Sequence, residues 1–186
     1  MSDLLRALRR TTIFGQPATQ YWVDVVLWEH FFTYNEIKCV IEFGTGTGGM
    51  SLVFALQAQQ RGMQFYTFDT KRWAEYLNMP LMRMLVGAEH FRRLDVFSEE
   101  GRKTILSLLE EPSFHPLLLY CDNGDKRREM AEYVPHLRAY DYVGVHDWPN
   151  EFGPEDAAKL SYLIEPLYHE EAEKLNGLTR IWEVQT

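Results

Sequence analysis

The sequence predicts an α/β protein built on a doubly wound, mostly parallel sheet. Three observations carry that expectation. Short apolar runs alternate with helical stretches from Lys38 onward. The runs lack the in-and-out polarity of half-solvated strands, which is how strands buried on both faces read. The residues richest in chemistry fall where the runs end, and parallel sheets bind ligands at that edge. With 186 residues, 46% hydrophobic and 14% aromatic, the chain has the length of one ordinary domain and the apolar content to fill its core.

Taken in order, residues 2–10 are expected as a short basic helix and residues 11–19 as a loop, because Gly15 and Pro17 interrupt them. Residues 20–34 space Trp22, Val25, Val26, Trp28 and Phe32 as a helix does, so residues 1–36 form a helical extension before the sheet. Residues 38–43 are an apolar strand running into glycines, and residues 50–61 a helix stopped near Gly62. Strand 64–68 closes on Asp69, residues 72–86 are mainly helix with a break at Pro80, and residues 91–97 hold a short strand. Helix 99–109 leads to the apolar strand 117–121, ending at Asp122. Helix 126–137, strand 142–145, a mostly helical 155–176 and a closing strand 178–184 complete one domain spanning residues 1–186.

Composition removes several function classes. The net charge of −8 repels phosphate backbones, so nucleic acid is not an expected partner. Cys39 and Cys121 sit in apolar strand runs and read as buried, inert thiols suited to a reducing compartment, with no zinc-type Cys/His spacing. No apolar run approaches the ~18 residues of a membrane span and no signal core opens the chain, so a cytoplasmic protein is expected.

The glycine loop reads Glu42-Phe43-Gly44-Thr45-Gly46-Thr47-Gly48-Gly49. Glycines between a strand and a helix let a ligand approach the backbone closely. Gly44, Gly46 and Gly49 also satisfy GxGxxG, a pattern shared with dinucleotide enzymes. Glu42 separates the two readings: a carboxylate is a poor neighbour for a pyrophosphate and suits a cationic ligand. Asp69, ending the second strand, is placed to bind ribose hydroxyls, and Asp95, ending the third, to meet an adenine edge.

The run Val40-Ile41-Glu42-Phe43-Gly44-Thr45-Gly46-Thr47-Gly48-Gly49 resembles the first motif of the class I S-adenosylmethionine-dependent methyltransferases, and Asp69 matches their ribose-binding acid. The resemblance covers about residues 20–150. Gly15-Gln16-Pro17, just upstream, and the Gly48-Gly49 pair opening the helix are similar to the cephalosporin hydroxylase and rhamnosyl O-methyltransferase group. It implies a Rossmann-like fold and S-adenosylmethionine held by Glu42, Gly44, Thr45, Gly46, Gly48, Asp69 and Asp95. The implied reaction is O-methylation of a small molecule or sugar hydroxyl. The superfamily usually ends with two strands after the fifth; one candidate here, 178–184, implies a shortened C-terminal pair.

A second constellation follows from topology. Asp122 ends the fourth strand and His146-Asp147 the fifth, and adjacent parallel strands would bring the three together. Two carboxylates and an imidazole can hold magnesium or another divalent cation, which would lower the pKa of a substrate hydroxyl. Cation-dependent O-methyltransferases are similar, with an acid and a nearby lysine after the fourth strand and an acidic or amide pair after the fifth. Asp122, Lys126, His146 and Asp147 match, although His146 replaces an acid or amide and Lys126 is one residue off the commonest spacing. The metal is thereby assigned to Asp122, His146 and Asp147, and catalysis to His146, Asp147 and Lys126. Without a metal, His146 is the expected general base, its ordinary pKa lying near neutrality. In the plainer alternative, the acids cap turns and His146 is a loop histidine.

Three functions stay open on sequence alone: the methyltransferase, a non-catalytic S-adenosylmethionine-binding or assembly protein, and an NAD-dependent oxidoreductase, which Glu42 disfavours. The expected partner is a small-molecule substrate, with neither nucleic acid nor membrane, and homo-oligomerisation is left open.

Overall fold

A computed structural model describes residues 11–70, 80–81, 84, 90–163 and 166–185. The helix expected over residues 2–10 lies outside them, as does that over 72–86 apart from Pro80, Leu81 and Met84, which are helical. The described chain opens with a hairpin, β1 (Thr11–Ile13) and β2 (Gln16–Ala18), followed by α1 (Trp22–Tyr34). The expected loop over 11–19 is thus corrected to paired strands. Phe14 and Gly15 both take positive φ, 49° and 82°, as two-residue hairpin turns require.

Next come β3 (Cys39–Phe43), α2 (Gly49–Arg61), β4 (Gln64–Asp69), β5 (Phe91–Arg93), α3 (Glu99–Glu110), β6 (Leu117–Cys121), α4 (Lys126–Tyr133), β7 (Tyr142–Val145), α5 (Pro154–Ala157), α6 (His169–Leu175) and β8 (Arg180–Glu183). The main sheet runs β5-β4-β3-β6-β7-β8. β3 pairs in parallel with both β4 and β6, so the chain winds outward in one direction and then in the other. The crevice between β3 and β6 is the topological switch point, where such sheets take ligands. In this sheet β8 runs antiparallel, against β7.

β3 and β6 are buried along their whole length, which explains their unbroken apolar sequence. Alternate residues of β3 serve two cores. Val40 packs with α1 and α2, whereas Cys39, Ile41 and Phe43 pack with α3 and α4. Helix boundaries follow local chemistry: Gly62 closes α2 in the left-handed conformation, and Ser98 caps α3 by accepting the Gly101 N–H.

The short strand expected within residues 91–97 is β5; it stops at Arg93, and Asp95 lies just past it in a bend, its carboxylate accepting the Phe97 N–H at 2.9 Å. Two further expectations are corrected. Residues 155–176 divide into α5 and α6, since Pro166 cannot continue a helix and Leu167 bridges to Ile181. Helix 126–137 ends at Tyr133 and tightens into a 3₁₀ turn, Val134–His136, at Pro135. Among the described residues, no helix is long and apolar enough to cross a membrane.

Candidate functional site

The C-terminal ends of β3, β4, β6 and β7 surround a cleft of about 460 Å³ lined by Gly44, Gly46, Asp69, Asp95, Asp122, Lys126 and Asp147, together with Thr70, Phe97, Asn123, Gly124 and Glu151. The two constellations read from the sequence therefore face one space. Of the expected cofactor residues, Gly44, Gly46, Asp69 and Asp95 line it, while Glu42, Thr45 and Gly48 do not.

Gly44 shows why the loop needs glycine. Its φ is +93°, and a Cβ there would lie 2.3 Å from the Asp122 carbonyl oxygen. The loop is thus pressed against the exit of β6. Gly46, with φ +52°, faces open space on its Cβ side, and its N–H donates to Asp69 Oδ2 at 2.8 Å. Asp69 is thereby turned along the loop. Below lies a buried polar chain. Glu42 Oε2 accepts from Ser51 Oγ and from Thr67 Oγ1, the latter at 2.6 Å, and Thr67 pairs with Thr45 at 2.6 Å. Burial pushes the Glu42 carboxyl up to about 8, against the hydrogen bonds from Ser51 and Thr67 that pull it down. Its Oε1 has no hydrogen-bond partner among the described residues.

Across the cleft, Asp122, His146 and Asp147 each offer a ligand atom within 4.8 Å of the others. Asp147 takes φ +60°, tolerable for an aspartate, and its carbonyl accepts the Asn150 and Glu151 N–H groups in the turn leaving β7. His146 Nδ1 lies 3.4 Å from Asp122 Oδ1 and 3.3 Å from Asp147 Oδ1. Lys126 Nζ reaches Asp122 at 3.2 Å, Asp147 at 3.0 Å and Glu151 at 2.7 Å. Gln20 donates to the other Asp122 oxygen at 2.8 Å.

Burial works against charging His146 and Lys126, but the acids outweigh it. Asp122 and Asp147 raise His146 to about 10, and Asp122, Glu151 and Asp147 hold Lys126 above the ordinary lysine value. Asp147, in contact with the His146 N–H, is held well below the usual carboxylate range. His146 in this state keeps its proton at neutral pH, so its ordinary pKa does not describe it as a free base. Trp148, next to Asp147 in the chain, turns away into the core and packs with Phe152 and Trp182.

Sequence reasoning passed over Asp24, Gln20 and Glu151. Asp24, fully buried in α1, lies 4.0 Å from His146 Nε2. Its sequence signal is that of a helix-capping acid, and it does accept the Tyr21 N–H at 3.2 Å.

No protein-family model matches the sequence, and no curated protein does. Solved structures share the fold. The apo structure of CmcI is 13% identical with TM-score 0.70, over 95% of this chain and 77% of that one. CmcI with magnesium and S-adenosylmethionine is 14% identical, again with TM-score 0.70, over 94% and 77%. CalS11, a TDP-rhamnose 3′-O-methyltransferase of calicheamicin biosynthesis, is 18% identical with TM-score 0.56, over 86% and 78%. At these identities the likeness is one of fold: the chain has the Rossmann-like fold of the class I S-adenosylmethionine-dependent methyltransferases.

Proposed function

We propose that the chain is an S-adenosylmethionine-dependent O-methyltransferase acting on a hydroxyl of a small molecule or sugar, assisted by a divalent cation. The observation that carries this reading is the shared cleft, with Gly44, Gly46 and Asp69 on one wall and Asp122, Lys126 and Asp147 on the other. The fold's likeness to CmcI with magnesium and S-adenosylmethionine supports it.

The donor chemistry fits both groups. Asp69 is held along the glycine loop by the Gly46 N–H, an orientation suited to ribose hydroxyls. Asp122, His146 and Asp147 would hold the cation, their ligand atoms already gathered. Bound there, S-adenosylmethionine supplies the methyl group and the dication lowers the pKa of the accepting hydroxyl. Lys126 keeps its charge beside Asp122 and Asp147 and holds their carboxylates at the cleft wall. Asp147, retained as a carboxylate by its neighbours, stays an acceptor near the substrate hydroxyl.

Calorimetry with S-adenosylhomocysteine and NAD tests the cofactor assignment. Binding of S-adenosylhomocysteine should weaken in Gly46→Val and in Asp69→Ala, whereas tight NAD binding without any response to S-adenosylhomocysteine would reject it. Transfer of a radiolabelled methyl group to sugar and phenolic hydroxyl acceptors tests the reaction. Asp147→Ala should abolish transfer while leaving S-adenosylhomocysteine affinity nearly intact. Binding with no transfer to any acceptor would favour a non-catalytic binding protein.

A further inference from the structure

Asp24 is held as a brace. Its Oδ1 accepts the Leu178 and Thr179 N–H groups at 3.0 and 2.9 Å, tying α1 to the segment that enters β8. Leu178 in turn accepts the Trp148 N–H at 2.9 Å, so the exit of β7 joins the same junction. Its Oδ2 accepts the Tyr21 N–H at 3.2 Å at the start of α1. All three donors are neutral backbone N–H groups, so none of them balances a buried charge.

What the charge faces is His146. Asp24 Oδ2 lies 4.0 Å from Nε2, which is buried and has no hydrogen-bond partner among the described residues. On the opposite side of the ring, Nδ1 looks at Asp122 and Asp147, at 3.4 and 3.3 Å. The imidazole stands between a buried carboxylate and a carboxylate pair at the cleft. Proteins orient metal-binding histidines in this way: an outer carboxylate takes one N–H and leaves the other nitrogen's lone pair for the ion. Closing the Asp24–His146 gap to a hydrogen bond asks for a movement of about 1 Å.

We propose that Asp24 is the positioning residue that turns His146 Nδ1 toward Asp122 and Asp147, and that the corner so built selects a transition-metal dication over magnesium. This rests on the metal reading proposed above. Magnesium demands oxygen ligands in near-octahedral order, whereas an imidazole nitrogen suits manganese, cobalt or zinc. Lys126 does not close the corner, because Glu151, 2.7 Å from its Nζ, remains its partner when the aspartates turn to an ion.

The test is calorimetry of the full chain with manganese, zinc and magnesium chlorides. Because sites with a nitrogen ligand bind transition ions more tightly in general, the variants carry the decision. Asp24→Asn keeps the Oδ1 bonds, removes the charge and gives up the Tyr21 N–H bond to Oδ2. It should weaken manganese binding by roughly tenfold to a hundredfold, the usual effect of losing an outer-shell partner, and leave magnesium binding almost unchanged. His146→Asp should shrink the manganese-to-magnesium affinity ratio at least tenfold. Nitrogen-15 NMR of the zinc-loaded wild type should show Nδ1 bound and Nε2 still protonated, a readout that stands even if a variant does not fold. Coordination through Nε2, or unchanged manganese affinity in Asp24→Asn, overturns the positioning role. Magnesium held as tightly as manganese overturns the selectivity and leaves the metal reading standing. If the wild type binds none of the three ions, this inference and the metal reading fall together, while the S-adenosylhomocysteine titration judges the cofactor reading separately.

Discussion

Glu42 hides an acid beneath a loop of glycines, and the consequence is a pH dependence whose sign can be worked out. Its carboxyl is raised from an ordinary 4.5 to about 8, first by burial. The folded chain thus holds the proton more tightly than the unfolded one. That contribution to stability is complete below about 4.5 and is lost as pH rises through about 8. Glu42→Gln keeps a hydrogen-bonding group there and cannot titrate. Urea unfolding of this variant across that window should therefore show a flatter loss of stability with rising pH than the wild type; equal slopes would mean that Glu42 titrates normally. Glu129, also raised to about 8 by burial, is present in both proteins and cancels in the comparison. The sequence pointed to Glu42 as an acid before glycines. Its burial depends on Ser51 and Thr67, which come from α2 and β4 and meet it only after folding. Asp24 was hidden for the same reason, since Leu178 and Thr179 reach it from the far end of the chain.

Elements buried on both faces were the easiest to read. β3 and β6 have nothing but buried residues, so their apolar runs were unmistakable, and the glycines after β3 marked the cleft. Very short elements were not readable. β1 and β2 have three residues each, and Gly15 and Pro17 signal a break as readily as a hairpin. What holds the hairpin in place is tertiary. Thr47 Oγ1 donates to the Pro17 carbonyl at 2.8 Å, and Gly49 lets β2 lie against the start of α2. A Cβ on Gly49 would come within 2.4 Å of Ala18 Cβ. Gly49→Ala should therefore force the hairpin off the helix and destabilise the fold by about 1–3 kcal/mol, the usual cost of overpacking. A loss below ~0.5 kcal/mol in urea unfolding, the size of an ordinary surface effect, would mean that the hairpin shifts freely.

Across the whole molecule, the alternation of strands and helices was enough to infer a doubly wound sheet and to expect Asp69, Asp122 and His146–Asp147 along one edge. The pairings that decide which strand lies next to which are long-range, yet the parallel arrangement constrains them strongly. The packing of the helices was beyond the sequence, and one contact shows what that packing does. On β7, Gly144 leaves a notch that the indole of Trp28 enters: a Cβ on the glycine would sit 2.6 Å from Trp28 Cη2. Trp28 follows Asp24 by one turn of α1, and Gly144, on β7, precedes His146, just past the strand's end, by two residues. The notch therefore works as a detent, indexing the helix against the strand and with it the reach of a buried carboxylate to an imidazole. Filling it with Gly144→Ala should lift α1 and lower manganese affinity although no ligand has changed, and adding Trp28→Phe should recover part of the loss. If Gly144→Ala leaves manganese affinity untouched, the spacing between Asp24 and His146 is set elsewhere than in this core.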